Sequence, residues 1–130
     1  MPGIDECLLE AMAVPGARGA SLVDWTSGLA LGTAGDSPVG DHETTAAETA
    51  ELARSAAEFD SFVAAGDIPS DGPPVEDVIV TTRAGYHVIR FVETSFDSSV
   101  FLHLWLDRDA GNLALARIRL RDLAERLVLG

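Results

Sequence analysis

Apolar residues repeat with a period of two over most of the second half of the chain, and with a helical period in its opening, middle and closing segments. Three strand-like runs, Val75–Arg83, Tyr86–Glu93 and Val100–Asp107, follow one another with Arg83-Ala84-Gly85 and Thr94–Ser99 between them as turns. In the last run Val100, Leu102, Leu104 and Leu106 point one way, and Phe101, His103 and Trp105 the other. A strand apolar on both sides needs cover on both faces, which predicts a central strand with helices above and below. Upstream, Ile4, Leu8, Leu9 and Met12 predict a short helix ended by Pro15-Gly16. Ala17–Trp25 and Leu29–Thr33 then read as strands joined through Thr26-Ser27-Gly28, with glycine where positive φ is needed.

A loop over Ala34–Gly40 leads into a long helix, from Asp41 or Thr44 to Ala65, that Thr44 or Thr45 would cap and Gly66 would stop. Gly66–Pro74 is a second loop. The closing helix starts near Asn112, and Leu113, Ala116, Leu120, Leu123 and Leu127 form its buried stripe. The order α-β-β-α-β-β-β-α predicts an α+β fold. It is a three-layer α/β/α sandwich on a five-stranded antiparallel sheet, one domain over residues 1–130. With the fifth strand central, Val75–Arg83 falls at an edge, where Val78, Ile79 and Val80 are too apolar to stay exposed.

Composition narrows the function classes. A chain of 130 residues can bury a core without staples, and Cys7, the single cysteine, has no internal partner. The acidic start and the lack of a long apolar window predict a cytoplasmic protein with no membrane association. A net charge of −12 argues against nucleic acid, because phosphate contacts need clustered cations. All nine basic residues are arginine, a bias that fits a high-GC genome. Charge is also uneven. Residues 36–77 hold eleven acids and one base, Arg54, whereas residues 108–130 hold five arginines against Asp109, Asp122 and Glu125.

The middle helix carries the main candidate surfaces. On a wheel of about 100° per residue, Ala46, Ala50, Ala53 and Ala57 form a narrow ridge. Leu52, Ala56, Phe59 and Val63 form a bulkier ridge beside it, and Glu48, Glu51 and Glu58 occupy the remaining side. The two apolar ridges together are wider than one packing surface requires. Either the alanine ridge lets the helix sit close to its own sheet, or one ridge meets a second protein. Likewise the glutamates are either a solvated face or a platform for a basic partner.

No catalytic pattern stands out. Ser21, Ser27 and Ser37 sit in no G-x-S-x-G context, and Gly16-Ala17-Arg18-Gly19 and Gly32-Thr33-Ala34-Gly35 lack the Gly-Lys-Ser/Thr ending of a phosphate loop. His42, His87 and His103 contain no close pair and have no cysteine nearby, so they read as hydrogen-bonded structural histidines rather than ligands. Trp25 and Trp105 read as packing aromatics. Neither a cofactor nor an enzyme activity is expected.

Several local motifs lie on this element order. Pro15-Gly16-Ala17-Arg18-Gly19-Ala20-Ser21-Leu22-Val23-Asp24 enters the first strand, and Ser27-Gly28-Leu29-Ala30-Leu31 makes the hairpin. An alanine-rich helix follows, and Asn112-Leu113-Ala114-Leu115-Ala116-Arg117 opens the last one. Over residues 4–128 the chain resembles the Roadblock family, whose founding members include a dynein light chain. The resemblance implies a profilin-like fold in a bacterial single-domain member that forms homodimers and associates with a small Ras-like GTPase. Two edges of the Val78, Ile79, Val80 kind would pair into one ten-stranded sheet. Ala46, Ala50, Ala53 and Ala57 would pack nearby in the dimer, and Glu48, Glu51 and Glu58 would face the partner. The rival expectation is a small-molecule sensing domain of PAS or GAF type, which would need an internal apolar cavity.

Overall fold

The computed structural model describes residues 3–62, 75–92 and 99–127. Helix α1 (Ile4–Met12) leads into strands β1 (Ala17–Asp24) and β2 (Leu29–Gly35). Helix α2 (His42–Glu58), a short 3-10 turn at Asp60–Phe62, strands β3 (Asp77–Thr81), β4 (Gly85–Val92) and β5 (Val100–Asp107), and helix α3 (Leu113–Arg126) follow. The sheet is antiparallel with order β2-β1-β5-β4-β3, so β5 is central and β3 is at one edge, as the apolar pattern predicted.

The side-chain period of two sorts the core into two clusters. Ala20, Leu22, Val88, Leu102, Leu104 and Leu106 face α1 and α3. Val23, Ile89, Phe91 and Phe101 face α2, where Ala46, Ala50 and Ala53 meet them. Alternation therefore builds three layers from one sheet. The β1–β2 hairpin turns on Gly28 at φ +77°, the left-handed region expected there. Gly16, at φ +84°, has a second constraint. A Cβ on it would lie 2.5 Å from the Gly111 Cα, so two glycines let the β1 entry and the α3 entry cross.

Two boundaries differ from expectation. Asp41, not a threonine, caps α2: its carboxylate accepts from the Glu43 N–H at 3.1 Å and from the Thr44 hydroxyl at 2.7 Å. Those donors hold the Asp41 carboxyl below its usual pKa. The helix also stops at Glu58 rather than Ala65, because Phe59 adopts an extended backbone (ψ 132°) and only its N–H returns to the Ser55 carbonyl. Val63, Gly66 and the loop to Pro74 lie outside the described residues, as does most of Thr94–Ser99. At α3 the prediction holds, with Asn112 as N-cap accepting from the Leu115 N–H at 3.0 Å.

Candidate interaction site

The α2 side of the sheet is only partly roofed. Helix α2 lies chiefly over β1 and β2, so the same side of β3 and β4 extends beyond it. There Val78, Val80 and His87 are half-buried, with Ile79 turned to the opposite face and packed against the α1/α3 core. Val78 and Ala57 pack against the same apolar cluster, so strand edge and helix share one surface region.

The alanine ridge has its answer in this packing. Ala46, Ala50 and Ala53 are 0–2% exposed and lie against the protomer's own sheet, with Ala57 partly buried beside them. Small side chains let a helix approach Phe101 and Phe91 closely. Ala46, Ala50 and Ala53 thus belong to the protomer's own core, whereas Ala57 keeps part of its surface open. What α2 leaves exposed on the β3 side is the bulkier ridge, with Leu52 and Phe59 open and Ala56 nearly covered. Phe62 of the 3-10 turn adds to it, its ring 6.3 Å from that of Phe59.

The opposite flank of α2 differs. Glu43, Ala47, Glu51 and Arg54 border an open groove of about 530 Å³ against the hairpin residues Ser27–Ala30. Glu48, Glu51 and Glu58 are all exposed. The arginines of α3 cannot neutralise them within a protomer, because α3 is on the other face of the sheet. Arg117 instead holds Asp77 at 2.9 Å, and Arg126 holds Glu10 at 2.8 Å.

Near the start of α2, the same face of the sheet carries a polar stack. His87 and His103 lie on adjacent strands with Nδ1 and Nε2 3.0 Å apart and parallel rings, as the structural reading of these histidines expects. His87 also stacks on Trp105, and the Arg18 guanidinium lies 4.0 Å from the centre of the Trp105 ring. Burial pushes His103 down to about 3, helped by the nearby His87 and His42, and burial lowers His87 as well. Both rings are therefore neutral at pH 7, and one nitrogen of the pair donates to the other. His42 is held elsewhere, 3.0 Å from the Gly35 carbonyl oxygen. Among the described residues no three His, Cys, Asp or Glu side chains gather as a metal site. No helix there is long and apolar enough to cross a membrane.

Sequence reasoning found the β3 edge and the bulky ridge but missed two features. One is Arg18 over Trp105, which depends on strand register. The other is a cluster of Arg90, Arg117 and Arg121 beside α3. Its only local signal was the i, i+4 spacing of Arg117 and Arg121 next to Ala114 and Ile118.

No family profile matches the chain, and no curated protein matches it by sequence. Solved structures do. MglB of Myxococcus xanthus is similar with a TM-score of 0.68 at 19% identity, over 94% of this chain and 79% of that one. MglB in a tetrameric arrangement gives a TM-score of 0.71 at 19% identity, over 94% and 82%. A Roadblock/LC7 domain from Streptomyces avermitilis gives 0.62 at 21% identity, over 89% and 86%. The chain has a Roadblock-type fold.

Proposed function

We propose that the protein is a non-catalytic, homodimeric adaptor or regulator of a small Ras-like GTPase. The observation that carries the reading is the β3 edge, an apolar strand with a row of backbone groups turned outward. Two such edges pairing antiparallel would bury Val78 and Val80. They would also bring the Leu52–Phe59 flanks of the two α2 helices toward the shared surface. The glutamate side of α2, with its open groove against the hairpin, then remains available for the GTPase.

The ladder identifies the backbone groups that matter. Thr82 N–H donates to the Gly85 carbonyl and Phe91 N–H to the Glu76 carbonyl. In an antiparallel ladder of this register, residues 76, 78, 80 and 82 bond inward to β4, and Asp77, Ile79 and Thr81 direct theirs outward. Proline at Ile79 or Thr81 therefore removes an edge donor and spares the β3–β4 bonds. The wild type is expected to be a dimer by light scattering, with Ile79→Pro and the milder Thr81→Pro shifting it to monomer at unchanged fold by circular dichroism. A monomeric wild type, or folded variants that remain dimeric, would refute pairing through β3.

A further inference from the structure

Two buried donors have no acceptor among the described residues, the Trp25 Nε1–H and the Arg90 Nε–H. The Trp25 indole lies in the apolar α2 cluster. Arg90 is different, because it lines a groove of about 310 Å³ between the β3–β4 edge and α3. That groove is on the sheet face opposite α2, away from the surface assigned to a GTPase.

Three guanidinium groups line it. Arg117 is engaged by Asp77, whereas Arg90 and Arg121 make no hydrogen bond or ion pair among the described residues. Glu76 is the one further carboxylate in the lining. The groove is thus a cationic place in a chain of net charge −12. Its α3 wall has two parallel ridges one turn in length, Ala114 with Ile118 and Arg117 with Arg121. They extend over roughly 10 Å at the rise of a helix. Ile118 is 48% exposed, an apolar side chain beside Arg121, whose side chain has no partner among the described residues.

We propose that this groove binds an acidic, amphipathic peptide segment of a partner protein. Carboxylates of the segment would meet the guanidinium groups of Arg121 and Arg90, and an apolar side chain of the segment would cover Ile118. Charge complementarity selects the class: guanidinium groups bind carboxylates in a planar, paired geometry that is stronger than a neutral hydrogen bond. The ridge spacing selects a segment over a small anion, since an isolated anion would use the cations and leave Ile118 in water.

The test titrates the full chain into a fluorescein-labelled peptide that alternates glutamate with leucine, and into its glutamine counterpart, at low salt. Fluorescence anisotropy should show saturable binding of the glutamate peptide only, weakening as salt rises. Arg121→Glu and Arg90→Met should each weaken it at least about tenfold, the effect of one lost charge-assisted contact. Glu51→Arg, on the opposite face, should leave it unchanged. Arg121 is exposed, so its variant remains informative should Arg90→Met fail to fold. Equal binding of the glutamine peptide, or of both arginine variants, overturns the proposal. So does binding of inorganic phosphate without the peptide, which makes the groove a simple anion site. A salt-sensitive gain of mass in sedimentation that Arg121→Glu abolishes, with no peptide bound, also overturns it and assigns the groove to a second copy of this chain.

Discussion

The two faces of the sheet are built from the same strands and have different chemistry. The α1/α3 face is a continuous aliphatic layer of Leu22, Leu102, Leu104, Leu106, Val88 and Leu8, each at most 1% exposed. The α2 face pairs aromatic side chains with alanines and then gives way to Ser21, His103, His87 and Trp105. Two helices, α1 and α3, cover the first face, and α2 alone, lying chiefly over β1 and β2, covers part of the second. The first face has buried surface to spare. Among the described residues the second leaves β3 half-buried and Leu52 and Phe59 exposed.

The largest expected effect breaks the first face. Leu104→Ala removes a fully buried side chain between two helices and should lower stability by about 2–5 kcal/mol in urea denaturation. The second face should respond to added volume instead. Ala53→Leu should cost about 1–3 kcal/mol through overpacking against Phe101 and the strands below. Ala57→Leu, at a partly buried position, should cost less. If both substitutions leave the urea midpoint unchanged, α2 does not sit close to the sheet.

The histidine pair gives the second face a pH dependence on the acid side of neutrality. In the folded chain His103 takes a proton only near 3, whereas in the unfolded chain it does so near the ordinary value of 6.5. The unfolded state therefore binds more protons between those values. The contribution is complete above about pH 6.5 and declines as pH falls, by at most about 1.4 kcal/mol per unit. Urea midpoints taken from pH 7 down to 5.5 should fall by roughly 1 kcal/mol equivalent and fall less in His103→Gln. A variant with the wild-type slope would remove the pair from the account.

The smallest effect on stability belongs to the outer side of α2. Glu51→Arg with Glu58→Arg should change stability by no more than about 0.5 kcal/mol per site, since both residues are exposed. If the proposed function holds, it should slow association with the GTPase partner at low salt, because rim charge acts on encounter over a Debye length of roughly 8–10 Å. Equal association rates for wild type and variant would leave these glutamates as a solvated face.

Particular residues show where sequence was sufficient. Val100–Asp107 placed β5 at the centre of the sheet because both of its alternating sets are apolar, and period-two alternation is a local property of any strand. Asn112 and Gly28 announced a helix start and a turn through their own backbone preferences. The α2 boundaries were less legible. Asp41, Thr44 and Thr45 are all competent caps, and nothing local in Phe59 says that a helix ends there.

The charge on the chain, the α-β-β-α-β-β-β-α order and the position of β3 at an edge follow from composition and periodicity, which each segment carries by itself. Which partner the alanine ridge touches does not, because a small apolar stripe fits a sheet and a second helix equally well. Tertiary packing decided that Ala46, Ala50 and Ala53 belong to the protomer's core, and that α2 and the arginines of α3 lie on opposite sides of the sheet. Register between strands far apart in sequence brought Arg18 over Trp105, His87 beside His103 and Arg90 beneath α3. Those contacts are set by how the strands align, a property of the assembled sheet rather than of any one segment.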